Sequence, residues 1–306
     1  MAKQVCLVLG ANGFIGSHIV DSLVSAGYQV RAFDHFSDAR HRFKASDKIE
    51  IINGDFFNHN DVVSALKGVA YVFHFISTTT PATVDNDPTL DFETNIKLSV
   101  ELFQECVNQD VKKIIYPSSG GAIYGENSSE NTTEDTLPAP VSPYAIGKLS
   151  VEHYLRYFRV KFGLESVVYR ISNPYGAHQA LNSKQGVIPI FLQLIKAGQP
   201  VTVLGDGSMV RDYIYVKDVV NMIVGSFKTA ESPLYNIGGG HGTSINELLK
   251  IIKSVTGKQV QVKHKDKPAT FVDEIVLNTD RFQTEFGIQP VVDMNEGIAS
   301  LWDQIK

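Results

Sequence analysis

Tyr144 and Lys148 stand four residues apart in the stretch Tyr144-Ala145-Ile146-Gly147-Lys148. On a helix that spacing puts both side chains on one face, where the lysine charge can act on the phenol. An unperturbed tyrosine titrates near 10 and is a weak base at neutral pH. A nearby ammonium and a helix N-terminus both favour the phenolate. Lowering the phenol by about 3 units corresponds to roughly 4 kcal/mol, within reach of close charges shielded from water. Ser142-Pro143 reads as a helix start, with Ser as N-cap and Pro as first helical residue, so Tyr144 falls in the first turn. Alone, the pair is equally an amphipathic helix with a surface lysine.

The second group is the glycine-rich run Gly10-Ala11-Asn12-Gly13-Phe14-Ile15-Gly16 near the start of the chain. It follows a short apolar run and opens a helical pattern, the setting in which such a turn seats a pyrophosphate. The glycines permit close backbone approach, and the helix offers unpaired N–H groups and the positive end of its dipole. Gly10, Asn12, Gly13, Phe14, Ile15 and Gly16 are therefore candidate dinucleotide contacts. Asp34 ends the next strand, where a carboxylate accepts from the adenosine ribose, which favours NAD over NADP. Arg40 and Arg42 lie close by and would suit a 2′-phosphate. Asp55, after Asn53-Gly54, is placed for the adenine, or else caps a turn. Together the two groups describe an enzyme that moves protons with a tyrosine and hydride with a nicotinamide.

Strands and helices alternate through the first half. Val5 to Leu9 is a continuous apolar run suited to a buried parallel strand. Helices are expected over Phe14–Ala26, Asp61–Leu66, Leu90–Asn108 and Ser142–Phe162. Strands are expected over Tyr28–Phe33, Ile49–Ile52, Tyr71–Phe75, Lys113–Tyr116 and Ser166–Ile171. This order implies an α/β fold, a Rossmann-type doubly wound parallel sheet with a smaller C-terminal α/β lobe. Residues 1–173 form the expected nucleotide domain, with the chain returning near 211–237, and residues 174–306 mainly form the substrate lobe. Residues 126–143, rich in Ser, Asn, Thr and Pro, read as a surface loop, and 263–267 as a polar stretch.

The bulk numbers exclude several classes. With 306 residues, 43% hydrophobic, the chain is long enough for a core without disulfides or structural metal. A net charge of −5 gives no reason to expect nucleic acid or an anionic membrane. Cys6 and Cys106 read as buried free thiols, and the histidines and cysteines show no metal-ligand spacing. Neither a signal peptide nor a spanning segment is evident, so a cytoplasmic setting is expected. The sequons at Asn127 and Asn131 are discounted accordingly.

With these pieces in place, the chain resembles the extended short-chain dehydrogenases/reductases, most closely the UDP-glucose 4-epimerase branch, essentially end to end. The likeness rests on the glycine run, Asp34, Gly54-Asp55, His74-Phe75, Asn95 and Ser118-Ser119-Gly120-Gly121-Ala122-Ile123-Tyr124-Gly125. Tyr144/Lys148, Asn173-Pro174-Tyr175-Gly176 and Val210-Arg211-Asp212-Tyr213 complete it. The resemblance implies a tightly held NAD and a sugar nucleotide bound across both lobes. Tyr144 would take the proton of the sugar 4-hydroxyl, a 4-keto sugar would turn over, and hydride would return to its other face. Lys148 would hold the nicotinamide ribose. The family's usual serine aligns with Gly120, so its part falls to Ser119, with Ser118 in reserve.

Further NAD contacts carried over are Phe56, Phe75, Ile76, Ser77, Asn95 and Ile171, beside Tyr144 and Lys148. Substrate contacts carried over are Thr79, Ser119, Asn173 and Val187, with Arg211 for the diphosphate. The plain alternative for Arg211 is an ion pair with Asp212. Thr270 stands where relatives have a second arginine, and either Lys265 or Lys267 compensates or the nucleotide end differs. Ile275, where some relatives have a bulky tyrosine, would admit an N-acetylated sugar. Relatives also suggest a homodimer through the two long helices, Leu90–Asn108 and Ser142–Phe162. A dehydratase or decarboxylase needs carboxylates just before Tyr124-Gly125, and Gly120-Gly121 stand there instead. Asp34 argues against an NADPH reductase, and an intact Tyr144/Lys148 pair against a non-enzymatic NAD-binding protein.

Overall fold

The computed structural model describes residues 4–36, 41–79, 87, 89–179, 186–268 and 271–305. In chain order the first half gives β1 (Val5–Leu9), α1 (Phe14–Ser25), β2 (Gln29–Asp34), β3 (Ile49–Asn53), α2 (His59–Leu66) and β4 (Val69–His74). A π-helical turn, Phe92–Ile96, then runs into α3 (Lys97–Asn108), followed by β5 (Lys113–Ser119), α4 (Pro143–Phe162) and β6 (Glu165–Ile171). The second half gives β7 (Asn173–Tyr175), α5 (Val187–Lys196), β8 (Val201–Leu204), β9 (Val210–Tyr215), α6 (Val216–Ser226), β10 (Leu234–Ile237) and β11 (Gly242–Ser244). It closes with α7 (Ile245–Thr256), β12 (Val262–Lys265), β13 (Glu274–Ile275), α8 (Asp280–Phe286) and α9 (Met294–Ile305).

A seven-stranded sheet has the order β10-β6-β5-β4-β1-β2-β3. The pairs β1–β2, β1–β4, β2–β3 and β4–β5 are parallel, so β1 is central and the strand order reverses beside it. In such sheets ligands bind off the carboxyl ends of the strands at that reversal. Residues Cys6 to Leu9 are wholly buried, as a continuous apolar run in a two-faced sheet must be. On α3 the buried residues Ser99, Leu102, Phe103 and Cys106 recur at helical spacing and form one core-facing stripe.

The chain divides into two compact units. The first comprises Met1–Ser118, Pro143–Tyr169 and Ile223–Leu234. Its core joins Leu7, Leu9, Phe33, Val72, Phe103, Ile114 and Phe158 from the strands and the helices over them. The second comprises Ser119–Ser142, Arg170–Met222 and Tyr235–Lys306. Its core gathers Ile188, Leu192, Val203, Tyr215, Leu248, Ile298 and Trp302. There, β11 and β13 flank β9, β7 pairs β9, and β12 pairs β8.

Three details depart from the sequence reading. The helix expected over Leu90–Asn108 contains a π turn, with Lys97 N donating to Phe92 O. The polar stretch at 263–267 holds a strand, β12, whose side chains are all exposed. It shows no inward alternation because it packs nothing, and its pairing with β8 alone makes it a strand. The loop after Gly125 is fastened rather than loose. Ser128 Oγ donates to Glu274 O (2.7 Å), Thr132 N to Val276 O (2.9 Å) and Asn236 N to the buried Glu134 Oε1 (2.8 Å). Its polar side chains bond specific backbone groups, which composition alone does not reveal. Cys6 and Cys106 are buried free thiols, each pushed up by burial, Cys6 to about 12.

Candidate active site

The glycine run is built for a ligand on its outer side. Gly10 has φ +82°, and a Cβ there would press on the Phe75–Ile76 backbone at 2.8 Å. A Cβ on Gly16 would overlap Gly10 O, so the helix can start only this close to β1 without one. The N-cap of α1 is Gly13, which brings no side-chain cap. The first-turn N–H groups of Phe14 and Ile15 thus have no capping oxygen from the N-cap side chain. Asp34 is set by two backbone donors, Asn12 N to Oδ2 and His35 N to Oδ1, both 2.7 Å. Each oxygen keeps a lone pair for a hydroxyl. Asn12 Oδ1 in turn accepts from Arg42 N (3.0 Å). This cradle of glycines, open helix amides and an oriented carboxylate fits a dinucleotide. Arg40 lies outside the described residues.

Asp55 is exposed, and its Oδ1 accepts from Phe57 N (2.9 Å), a local turn that aims the carboxylate. Phe56 is buried, and Phe75, Ile76 and Asn95 are half-buried, while Ser77 is exposed. Ser77 Oγ donates to Thr79 O (3.0 Å), and Thr78 N to Asn95 Oδ1 (3.1 Å), so Asn95 anchors the segment after β4. Thr79 itself is buried, its hydroxyl donating to Asp91 and accepting from Asn95 Nδ2 (2.7 Å).

Pro143 is the first residue of α4, so Tyr144 lies in the first turn and Lys148 one turn on. Lys148 Nζ donates to Pro117 O of β5 (3.1 Å) and stands 4.9 Å from the Tyr116 ring centroid and 5.9 Å from that of Tyr144. Burial pushes its ammonium down to about 8, against the opposing pull of Asp91 and Glu152. The lysine thus remains mostly charged at neutral pH, close to a phenol that gains from a positive neighbour. A small polar pocket beside it is lined by His74, Asp91, Asn95, Ser99 and Tyr116. His74 is held neutral by burial and then by Lys148, its pKa pushed to about 3, and its Nε2 pairs with Ser99 Oγ (2.8 Å). Burial, followed by the Tyr144 charge, keeps the Tyr116 phenol protonated.

Sequence reasoning missed Asp91, Ser99 and Tyr116. The available signal was Asp91 four residues before Asn95, one helical turn apart, with Asn95 Nδ2 donating to Asp91 Oδ1 (2.8 Å). A second signal was the glycine before Lys148. A Cβ on Gly147 would overlap the Asp91 carboxylate.

The chain leaves the first unit at Ser118 and enters the second at Ser119. Ser118 is buried, its Oγ without a partner among the described residues. Ser119 is half-buried, and its carbonyl accepts from Ala122 N (3.2 Å) and Ile123 N (3.1 Å), which folds the following glycines into a turn. Gly120 cannot carry a serine without a shift. Its Cβ would stand 2.5 Å from Leu277 Cδ1 and 3.0 Å from Arg170 O. Gly120 is therefore built into the second unit's packing.

Within that unit, Asn173 Nδ2 donates to Asp212 O (2.9 Å). Arg211 donates to Val210 O (2.7 Å) and Val272 O (2.9 Å). The alternative ion pair of Arg211 with Asp212 is not what positions either residue. Asp212 is fully buried and accepts from Gly239 N (2.7 Å) and Leu277 N (3.2 Å), and burial raises its pKa to about 7. Neighbours on a strand point to opposite faces, so β9 sends the two side chains apart. Ile275 is buried and in register with Arg211 across β13 and β9. Val187 is half-buried at the start of α5, and Ile171 is buried at the end of β6. Lys267 pairs with Asp273, and Lys265 lies in β12. Thr270 lies outside the described residues. Among the described residues no cluster of His, Cys, Asp and Glu could hold a metal.

The chain shares 34% identity, with 99% of it and 98% of the other chain covered at TM-score 0.91, with UDP-glucose 4-epimerase of Thermotoga maritima, solved with UDP-glucose. It is 32% identical, over 98% of both chains at TM-score 0.90, to UDP-glucose 4-epimerase of Thermus thermophilus, solved with NAD. It is 31% identical, over 100% and 99% at TM-score 0.91, to UDP-N-acetylglucosamine 4-epimerase of Methanobrevibacter ruminantium, solved with UDP-N-acetylmuramic acid. The family model of these enzymes matches residues 6–238. The glycine cradle with its oriented Asp34, the tyrosine one turn ahead of a charged lysine, and this match agree: the chain belongs to the NAD dependent epimerase/dehydratase family.

Proposed function

We propose that the protein is an NAD-dependent sugar-nucleotide 4-epimerase acting on UDP-hexoses. The observation that carries this reading is the pairing of Tyr144 with a buried, charged Lys148 in a chain that has Gly120 and Gly121 where elimination chemistry needs carboxylates. When bound, NAD supplies a reversible hydride store at one sugar carbon. The residues that would hold it are Gly10 to Gly16 at the pyrophosphate, Asp34 at the ribose, Asp55 at the adenine, and Asn95 and Lys148 toward the nicotinamide.

Tyr144 would accept the proton of the sugar 4-hydroxyl as C4 becomes a carbonyl, and return it when the carbonyl is reduced from the other face. Lys148 would favour the phenolate through its charge. Ser119, backed by Ser118, would relay the proton, since Gly120 has no hydroxyl and no room for one. With Gly120-Gly121 in place of an acid and a base, the 4-keto sugar would have no group to draw a proton from C5 or expel the 6-hydroxyl. In the second unit, Asn173, Val187, Arg211 and Ile275 would take the nucleotide sugar. Ile275 lacks the bulk of a tyrosine, which leaves room for an N-acetyl group.

An apolar face on α4, with Ile146, Tyr154, Tyr157 and Val160 exposed, supports a homodimer through α3 and α4. Two buried free thiols suit a reducing compartment, and we read the setting as cytoplasmic. The test is incubation of purified protein with UDP-glucose and, separately, UDP-N-acetylglucosamine, with no NAD added. Proton NMR should show the 4-epimer growing to a fixed ratio with either or both. Absence of an epimer from both, with substrate consumed only when NADPH is supplied, would replace this reading with a reductase.

A further inference from the structure

Asp91 has no part in the proton path described above, yet it is the most enclosed carboxylate beside Lys148. It is 4% exposed. Its carboxylate lies against the α4 backbone at Gly147, the residue before Lys148, so closely that a Cβ there would displace it. Oδ1 accepts from Thr79 Oγ1 and from Asn95 Nδ2 (2.8 Å), and the π turn Phe92–Ile96 follows it directly. Such turns interrupt a helix locally and concentrate at functional sites. Two hydrogen bonds and a bare glycine thus hold one buried negative charge at the wall of the pocket that Lys148 lines.

We infer that Asp91 is a positioning residue: its carboxylate keeps Lys148 protonated beside the Tyr144 phenol and fixes where on α4 that charge sits. The inference rests on the reading of Tyr144 and Lys148 as the reacting pair. Of the other groups facing Lys148, only Glu152 acts in the same direction. From β4, His74 is neutral and repels the ammonium when protonated. From β5 come Pro117 O, a neutral acceptor, and the protonated Tyr116. From α3, Ser99 is engaged by His74. On α4 itself Glu152 adds a favourable charge one turn on, with a smaller effect than Asp91. An opposite charge nearby favours the charged form of its partner.

The experiment uses full-length protein labelled with ¹³C at lysine Cε, with the Lys148 signal assigned by Lys148→Arg. Lys148 is titrated in wild type, Asp91→Asn and Glu101→Gln, and the pH dependence of kcat is recorded alongside. Asp91→Asn should lower the Lys148 titration by at least about one unit and move the alkaline limb of kcat down by the same amount. Glu101→Gln, which removes an exposed carboxylate of α3 that pairs with Lys97, should leave both in place. Should Asp91→Asn fail to fold, Asp91→Ser, which opens space rather than filling it, takes its place. A folded Asp91 variant whose Lys148 titration stays at the wild-type value overturns the inference. The NMR titration needs no turnover, so it stands apart from the functional reading, which fails on its own if Tyr144→Phe remains active.

Discussion

Replacing Gly120 by serine supplies the hydroxyl that the family resemblance aligns with this position, and the structure says it will harm the protein. The added Cβ would stand 2.5 Å from Leu277 Cδ1 and 3.0 Å from Arg170 O. Leu277 is 1% exposed and can give way only by disturbing the second unit's interior. Arg170 O belongs to β6 and cannot turn aside as a side chain can. Overpacking of this kind costs about 1 to 3 kcal/mol. A buried hydroxyl without a partner adds roughly 1 to 3 kcal/mol. Part of the sum is relieved by relaxation, so about 2 to 4 kcal/mol is expected for Gly120→Ser. Urea unfolding at pH 7.5, followed by circular dichroism, measures it. Leu277→Ala alone should also destabilise, by about 2 to 5 kcal/mol. In the double variant the two losses should fall short of their sum by more than about 1 kcal/mol, because the smaller side chain admits the serine. Gly120→Ser as stable as wild type, or strictly additive with Leu277→Ala, would refute the packing argument. It would also reopen Gly120 as an ordinary site for the relay hydroxyl.

Gly147→Ala should gain about 1 kcal/mol from helix propensity but lose more by displacing the Asp91 carboxylate, for a net loss of about 1 to 2 kcal/mol. In an Asp91→Ala background the same change should stabilise, which a double-mutant cycle in urea detects. Asp212 makes stability depend on pH through a raised pKa. The fold favours its protonated form, so the stability it lends is full below the ordinary carboxylate range and is lost as pH rises through about 7. Unfolding free energy should therefore fall by about 2 kcal/mol from pH 5 to pH 7 and then level off, and Asp212→Asn should flatten that decline in the same urea series.

The residues that announce the site do so because their chemistry is local. The glycine turn needs glycines at fixed offsets to let α1 start beside β1, and Tyr144 and Lys148 need one turn of one helix. β1 is legible because a sheet covered on both faces demands an unbroken apolar run. What the sequence hides is set by partners distant along the chain. Asp91 meets Gly147 only after α3 and β5 between them have folded. β12 carries four exposed side chains and is a strand only through β8. Thr132 and Glu134 look like loop residues until β10 and Val276, just past β13, supply the backbone groups they bind. The restriction at Gly120 is likewise invisible without Leu277.

The central claim is that Tyr144 carries the proton in a reversible oxidation at C4 without elimination. It is tested most directly by following UDP-glucose in D₂O with wild type and Tyr144→Phe, with no added cofactor, by NMR. The account predicts a 4-epimer with no deuterium at C5 in wild type, and a rate lower by about 10² to 10⁴ in Tyr144→Phe. Epimer formation at near wild-type rate by Tyr144→Phe, or deuterium accumulating at C5, would contradict it.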